Sequence, residues 1–176
     1  GTVTGVQTCA LPISLQWLGK SRQFIDMALT EIRNISHRLA PAFFDSSTLE
    51  DTFNELIEDF NVEKKYEVAV RMEVNEPRMK QRKDLQLNLY RILQEQMRNI
   101  IKYAKATSIS IELTEENDMF VFSIIDDGIG FDPNKTSKGI GFANMKRRAE
   151  LFNGTLELIS APGDGCQLIV RIPSVH

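Results

Sequence analysis

Apolar or small residues recur at a heptad spacing through the stretch between Leu18 and Leu39. Residues at this spacing lie along one narrow stripe of a helix, which predicts a helix with a seam for another helix. Pro41 ends it, because proline cannot continue a helix. One row of the seam holds Leu18, Ile25, Ile32 and Leu39, and the other row holds Ser21, Ala28 and Ile35.

A second helix is predicted from a start at Ser46, Ser47 and Thr48 to about Phe60, with acidic residues in its first turn. Residues 66–74 then alternate apolar and charged side chains, as a half-buried strand does. The apolar face of this strand holds Val68, Val70, Met72 and Val74.

The remainder of the chain predicts two further helices and four further strands. The helices run over about 83–104 and 142–152, and the strands over 108–113, 119–125, 155–160 and 167–172. Together they form a mixed sheet of about five strands with helices on one face. We therefore predict an α+β fold, a two-layer α/β sandwich over residues 46–176, preceded by the helix of residues 14–41.

Composition limits the classes of function. The chain of 176 residues is 42% hydrophobic, which suits one compact domain, and 21 basic against 24 acidic residues leave a net charge of −3. This balance gives no electrostatic footprint for nucleic acid or an anionic membrane. With no apolar run long enough to span a membrane and no secretory signal, we expect a cytoplasmic location. Cys9 and Cys166 suggest neither a disulfide framework nor a zinc site.

The first thirteen residues follow no helical or strand periodicity. The run from Val3 to Ile13 can be written in codons that resemble a sequencing-library adaptor read in frame. Our hypothesis is that residues 1–13 are a translated assembly artefact, and such segments are excluded from fold reasoning. On this interpretation the gene continues upstream, and Cys9 does not belong to the natural protein. The alternative is a natural, poorly ordered N-terminus, which is common in proteins.

Polar side chains on the long helix suggest a site for phosphate and metal. Glu95, Asn99 and Tyr103 follow one another at four-residue intervals and Lys102 lies beside them, so they occupy neighbouring positions of one face. A carboxamide oxygen suits Mg²⁺, and a lysine suits phosphate. The alternative is an ordinary solvated face with an apolar face behind it. That apolar face holds Leu89, Ile92, Leu93, Met97, Ile100 and Ile101.

Glycine turns favour the nucleotide interpretation. Asp126, Asp127, Gly128, Ile129 and Gly130 follow a buried strand, which places a carboxylate at its end and glycines where backbone turns tightly or approaches a ligand. A second pair, Gly139 and Gly141, enters the next helix. Helix N-termini offer free N–H groups and partial positive charge to anions.

These motifs resemble the N, G1 and G2 boxes of the histidine-kinase ATPase domain, in the Bergerat-type superfamily shared with gyrase-type topoisomerases, mismatch-repair ATPases and heat-shock chaperones. The resemblance covers residues 46–173. It implies that Asn99 binds Mg²⁺, that Lys102 contacts phosphate and that Asp126 accepts a hydrogen bond from the adenine amino group.

The same resemblance implies further positions around ATP. Gly128 and Gly130 would surround the base, and Gly139 and Gly141 the phosphates. Residues 132–138 correspond to a short lid, and residues 161–166 to the family's closing turn. This sequence departs from the usual family pattern at Tyr103, Phe142 and Cys166, where histidine, leucine and threonine are common.

The segment Glu31–Pro41 resembles the second helix of the dimerisation hairpin in short-lid kinases that pair with DNA-binding response regulators. It implies a homodimer and a response-regulator partner, with a parent protein that can be membrane-anchored. In the family the accepting histidine lies on the first hairpin helix and is followed by an acidic residue. His37 precedes Arg38 and Pro41 soon ends its helix, so we expect that the acceptor is missing and that autophosphorylation of this chain is poor or absent.

The resemblance leaves the chemistry open between related activities. Glu95 would polarise an attacking water, as in ATP hydrolases, or orient Mg²⁺ and the accepting histidine. Besides a protein histidine kinase, the alternatives are an anti-sigma-type serine kinase, an ATP hydrolase and a non-catalytic dimerisation module. The heptad seam argues against the serine kinase, and the retained Asn99, Asp126 and glycine pairs argue against a module without nucleotide.

Overall fold

The computed structural model describes Ile25, residues 47–133 and residues 139–174. By the pattern of contacts the chain divides into two compact units, Gly1–Ala42 and Phe43–His176, and every helix and strand with defined bounds lies in the second. The predictions for residues 1–13, for the seam helix of residues 14–41 with His37, and for most of the lid lie outside the described residues.

A five-stranded mixed sheet forms one layer of the second unit, as predicted. Its spatial order is β1-β2-β3-β5-β4, with β1 parallel to β2 and the other neighbours antiparallel. The strands are β1 (Glu67–Glu73), β2 (Ser108–Glu116), β3 (Met119–Asp126), β4 (Thr155–Ser160) and β5 (Cys166–Pro173). The last residues of β3 pair with the first residues of β5, which places Asp126 opposite Cys166.

The helical layer contains four α-helices. Their bounds are α1 (Leu49–Phe60), α2 (Glu76–Gln81), α3 (Lys83–Asn99), which continues as a π-helical turn over Ile100–Ala104, and α4 (Ile140–Glu150). Thr48 begins α1 with a capping box, in which the Thr48 hydroxyl accepts from the Asp51 backbone N–H and the Asp51 carboxylate accepts from the Thr48 backbone N–H. The sequence analysis missed α2, since it buries only Met79 and leaves no helical periodicity to detect.

The core lies between the helices and one face of the sheet. Alternate residues of β2, β3 and β5 supply one side, and Phe53 of α1 packs on Phe122 with ring centroids 5.5 Å apart. The buried stripe of α3 supplies the other side, and it includes Leu85, Leu89, Ile92, Leu93 and Met97. These contacts confirm the α+β two-layer sandwich.

The prediction that Ile101 belongs to the apolar face of the long helix is wrong. Ile101 is exposed, while its neighbour Ile100 is buried. The π-helical turn that begins at Ile100 has a wider hydrogen-bonding ring than an α-helix, so the side chains after it leave the positions that a 3.6-residue period assigns to them. Among the described residues no helix is both long and apolar enough to cross a membrane.

Candidate functional site

A cavity of about 670 Å³ opens between α3, α4 and the ends of the central strands. Four segments of the chain line it: the C-terminal half of α3 with its π turn, the loop after β3, the start of α4, and the facing ends of β4 and β5. Most of its wall is apolar, and a few polar side chains converge on it. A concave, mainly apolar site of this size suits a small organic ligand.

The helical wall contains three of the residues predicted on α3. Glu95, Asn99 and Tyr103 all line the cavity. Since the π turn starts directly after Asn99, it sets the direction of Tyr103 and brings the Ala104 backbone to the cavity wall. The Ala104 carbonyl accepts a hydrogen bond from the Ile129 N–H at 2.8 Å, which ties the helical wall to the loop after β3.

Lys102 does not line the cavity. Its ammonium lies 5.0 Å from the centroid of the Tyr103 ring, and a hydrogen bond from Lys102 to the Tyr103 hydroxyl raises the lysine pKa. The structure therefore brings Glu95, Asn99 and Tyr103 together but leaves Lys102 on an exposed side of the π turn. Its contact with phosphate stays a prediction.

Asp126 is buried at the end of β3 and lines the cavity. Burial raises the pKa of its carboxyl, the hydrogen bond from Gly128 lowers it, and the charge of Asp127 raises it. The Gly128 N–H donates to Asp126 Oδ1 at 3.0 Å. A carboxylate accepts several hydrogen bonds, so Asp126 retains acceptor capacity for a ligand amino group.

Asp127, the next residue, has a structural role. Its carboxylate accepts hydrogen bonds from the backbone N–H groups of Thr107 at 2.8 Å and Ser108 at 2.9 Å, and from the Thr107 hydroxyl at 2.6 Å. These donors lower the pKa of Asp127 to about 2. Of these two neighbouring carboxylates, Asp126 lines the cavity and Asp127 does not.

Close backbone packing explains the glycines of this loop. A Cβ atom on Gly128 would collide with the Ala104 carbonyl, and one on Gly130 with the Ala161 carbonyl. Gly130 also has a φ of 57°, a left-handed conformation that favours glycine. Gly130 lines the cavity, whereas Gly128 lies behind it and packs against the π turn.

The turn between β4 and β5 supports the same loop. Gly163 donates its N–H to the Ile129 carbonyl at 2.7 Å, and the Ser160 hydroxyl accepts from Phe131 N–H while it donates to the Gly165 carbonyl. Gly165 has a φ of 69°, and a side chain there would collide with the Asp126 carbonyl. The turn thus holds Asp126 in place from the sheet side.

The start of α4 forms the wall opposite Glu95. Gly139 is the N-cap residue, and no side chain among the described residues caps the helix there. Gly139, Gly141 and Phe142 all line the cavity. An uncapped N-terminus leaves backbone N–H groups to bind an anion. A Cβ atom on Gly141 would collide with Oε1 of Glu95, so a side chain at position 141 would displace the Glu95 carboxylate from its present place in the cavity wall.

Cys166 begins β5 and contributes a buried thiol to the cavity wall. Burial is the main cause that raises its pKa to about 11, and the neighbouring Asp126 charge adds to it. Hydrogen bonds with Gln96 and Ser160 act in the opposite direction. The side chain is therefore a neutral thiol beside the buried carboxylate.

The match to known families agrees with this geometry. Residues 84–176, just over half of the chain, match the family described as histidine kinase-, DNA gyrase B- and HSP90-like ATPases. The chain belongs to this family. Its described unit is thus an ATPase-type domain that binds ATP, of the kind found in sensor histidine kinases.

Two curated relatives of this ATPase-family chain are sensor histidine kinases. The chain is 28% identical over 147 residues to the sensor histidine kinase LiaS of Bacillus subtilis, an alignment that covers 83% of this chain and 40% of the relative. It is 29% identical over 149 residues to the oxygen sensor histidine kinase NreB of Staphylococcus carnosus, which covers 82% and 42%. The chain spans about two fifths of the length of these relatives.

Solved structures share the fold of this ATPase-family domain. The histidine kinase AdeS of Acinetobacter baumannii superposes with a TM-score of 0.60 at 13% identity, over 100% of this chain and 89% of that one. The mycobacterial sensor histidine kinase MprB superposes with a TM-score of 0.55 at 15% identity, over 72% and 95%. At these identities the likeness concerns the fold alone.

The sequence analysis missed several residues that line the ATPase-type cavity. Gln96 is the polar one, and it lies on α3 between the predicted Glu95 and Asn99. A signal existed, because Gln96 is three residues before Asn99 and shares its helix face. The apolar ones gave no signal, since side chains that line a cavity follow the same periodicity as core residues. They include Ile100, Ile129, Phe131, Met145 and Leu158.

Proposed function

We propose that the cavity binds Mg²⁺-ATP and that the intact protein is a protein histidine kinase. The single observation that carries this proposal is a buried carboxylate, Asp126, in the same cavity as an uncapped helix N-terminus at Gly139. A carboxylate selects a ligand that carries an N–H donor, and a helix N-terminus selects an anion. A purine nucleotide with an amino group offers both chemistries in one molecule.

For the base, Asp126 accepts a hydrogen bond from the adenine amino group. The apolar wall around it, including Leu158 and Met145, suits the faces of a purine ring. Gly128 and Gly130 allow the loop to pack close to the helix and to the β4–β5 turn. Cys166 contributes a thiol to the wall beside Asp126.

For the phosphates, the backbone N–H groups at Gly139 and Gly141 bind oxygen atoms, and Phe142 lines the cavity beside them. The carboxamide oxygen of Asn99 is the proposed protein ligand for Mg²⁺, a cation that prefers oxygen donors. When bound, Mg²⁺ neutralises phosphate charge during transfer. Tyr103 lies at the cavity, and Lys102 reaches phosphate only if its side chain leaves the Tyr103 ring.

Glu95 is the proposed acidic group of the site. Its carboxylate lines the cavity, lies 3.6 Å from the Arg98 guanidinium and faces the Cα of Gly141. This position suits a residue that orients the acceptor of the phosphoryl group or holds a water near it. Positioning and charge neutralisation, rather than a covalent intermediate on this domain, would provide the catalysis.

In the intact kinase the γ-phosphate would pass to a histidine of a dimerisation hairpin. We propose that residues 14–41 are the second helix of that hairpin, that residues 46–176 are the ATPase domain, and that residues 1–13 are foreign to both. His37 is not the proposed acceptor. The intact protein would form a homodimer in the cytoplasm and transfer phosphate onward to a response regulator, as the name sensor histidine kinase of both relatives suggests.

Nucleotide titration tests the binding proposal. Asp126→Asn replaces a charged acceptor that contributes about 1.5–3 kcal/mol, so the affinity for Mg²⁺-ATP should fall about tenfold or more in calorimetry. Asp127→Asn is the matched control, because it removes the same charge one residue away without touching the cavity. Equal affinities of wild type and Asp126→Asn would refute the adenine assignment.

Phosphotransfer in trans tests the kinase proposal. The chain is mixed with labelled ATP and a separate hairpin that carries an accepting histidine, and acid-labile phosphate is measured on both. We expect phosphate on the added hairpin and none on His37. Labelled His37 would overturn the assignment of residues 14–41, and phosphate released only to water would favour an ATP hydrolase.

A further inference from the structure

Gln96 has a role in the cavity that the family resemblance does not assign. Its side chain is 4% exposed and lines the cavity, one residue after Glu95 and three before Asn99. A primary amide carries two N–H donors and a carbonyl acceptor, and its burial is unfavourable unless these groups find partners. The partners of Gln96 are therefore informative.

Gln96 contacts Asn99 of the proposed nucleotide site. Its Oε1 accepts a hydrogen bond from Asn99 Nδ2 at 3.5 Å. With its oxygen toward Asn99, the amide directs its nitrogen away from Asn99. The Gln96 amide also acts to lower the pKa of the Cys166 thiol, as an N–H donor near sulfur does.

This orientation has a consequence for Asn99. A carboxamide has one oxygen and one nitrogen, and only the oxygen can bind a cation. Gln96 takes the nitrogen of Asn99 as its donor, which leaves Oδ1 of Asn99 for a metal ion. Without Gln96, the Asn99 side chain loses the hydrogen bond that fixes the positions of its amide nitrogen and amide oxygen.

We propose that Gln96 is a positioning residue for the metal-bound nucleotide. It orients the Asn99 carboxamide for Mg²⁺. The inference rests on the proposed function, since it requires Asn99 to bind Mg²⁺ in the nucleotide complex.

Gln94 provides a matched control on the same helix. It is 6% exposed, close to the value for Gln96, and its Oε1 accepts from Arg91 at 3.0 Å. Unlike Gln96 it does not line the cavity. A substitution at Gln94 thus removes a buried amide from α3 without changing the proposed site.

The test is the Mg²⁺ dependence of nucleotide binding to the full chain. Calorimetry gives the Kd of ATP with excess Mg²⁺ and with EDTA for wild type, Gln96→Met, Gln94→Met and Asn99→Ala. The measured quantity is the ratio of the two values, the metal enhancement. We expect Gln96→Met to reduce the enhancement about fivefold and to leave the Kd in EDTA within about twofold, because one oriented hydrogen bond is lost. Gln94→Met should match wild type, and Asn99→Ala should abolish the enhancement.

The outcomes separate the two proposals. If wild type shows no metal enhancement, or if Asn99→Ala retains it, the assignment of Asn99 fails and the role of Gln96 fails with it. If Asn99→Ala abolishes the enhancement while Gln96→Met retains it in full, the role of Gln96 alone is overturned. Should Gln96→Met fail to fold, as judged by urea denaturation, Gln96→Ala with Gln94→Ala as its control gives the same comparison.

Discussion

Gly141 at the start of α4 lies directly against the carboxylate of Glu95 on α3, so closely that a methyl group on Gly141 would collide with Oε1. The contact joins two motifs that are far apart in the sequence and makes them opposite walls of one cavity. A side chain at position 141 would thus have to displace the flexible Glu95 carboxylate, whereas no described residue lies within 4 Å of a Cβ atom on Gly139.

Substitution of these two glycines tests that contact. Gly141→Ala should leave the free energy of unfolding within about 1 kcal/mol of wild type, because the gain in helix propensity offsets the displacement of a flexible side chain. Mg²⁺-ATP affinity should fall about fivefold as Glu95 moves. Gly139→Ala keeps the backbone N–H at the phosphates and adds a methyl group away from Glu95, so it should lower the ATP affinity less than Gly141→Ala does. Equal ATP affinities of the two variants, measured by calorimetry, would show that the contact is unimportant.

The turn that supports Asp126 gives a second prediction. Gly163 and Gly165 both have positive φ, but only a side chain on Gly165 would collide with the Asp126 backbone carbonyl. We expect Gly163→Ala to destabilise the protein by about 1–2 kcal/mol through backbone strain alone, and Gly165→Ala by about 2–4 kcal/mol. Urea denaturation measures both. A smaller effect at Gly165 than at Gly163 would contradict the close packing.

The regular elements could be predicted from the sequence because they follow simple periods. The strand over Thr155–Ser160 has its predicted bounds, and α3 begins at Lys83 as expected. These segments have strong alternation or a clear buried stripe, so local pattern and tertiary packing agree. The choice of Asp126 rather than Asp127 came from the family resemblance and not from the strand pattern.

Asp127 should make stability depend on acid pH. Its pKa is about 2 in the folded protein against an ordinary value of 3.8, so its ionised form stabilises the fold above pH 3.8. This contribution is lost as the pH falls through 2. Asp127→Asn lacks it, so the variant should unfold at lower urea concentration than wild type at pH 6. The difference should shrink below pH 3.8, and a difference that is constant down to pH 2 would exclude this carboxylate as its source.

Cys166 should react slowly with thiol reagents. Its pKa of about 11 against an ordinary 9.0 lowers the thiolate fraction about a hundredfold at pH 8, and burial slows access further. In a Cys9→Ser background, alkylation by iodoacetamide should thus be at least about a hundredfold slower in the native protein than in urea. Comparable rates in the two states would show that the thiol is not buried and that its pKa is not raised.

The parts that sequence patterns did not predict depend on tertiary structure. In the π turn after Asn99, Ile101 lies at the surface and Lys102 lies outside the cavity lining. No residue type in that stretch predicts a helical turn wider than that of an α-helix. Such turns are specified by packing, here by the Ala104 carbonyl that accepts from Ile129. The spacing of Gln96 and Asn99 on α3 places them on one helix face, but the burial of Gln96 and its contact with Asn99 depend on the folded structure.

The most direct test of the central claim is hydrogen exchange of the chain with and without Mg²⁺-ATP. The account predicts slower exchange of backbone amides in three segments that line the cavity: residues 95–104, 126–131 and 139–145. Exchange in α1 and α2, which do not line it, should stay the same. Unchanged exchange in all three segments at saturating ATP, or protection confined to α1 and α2, would contradict the placement of ATP in this cavity.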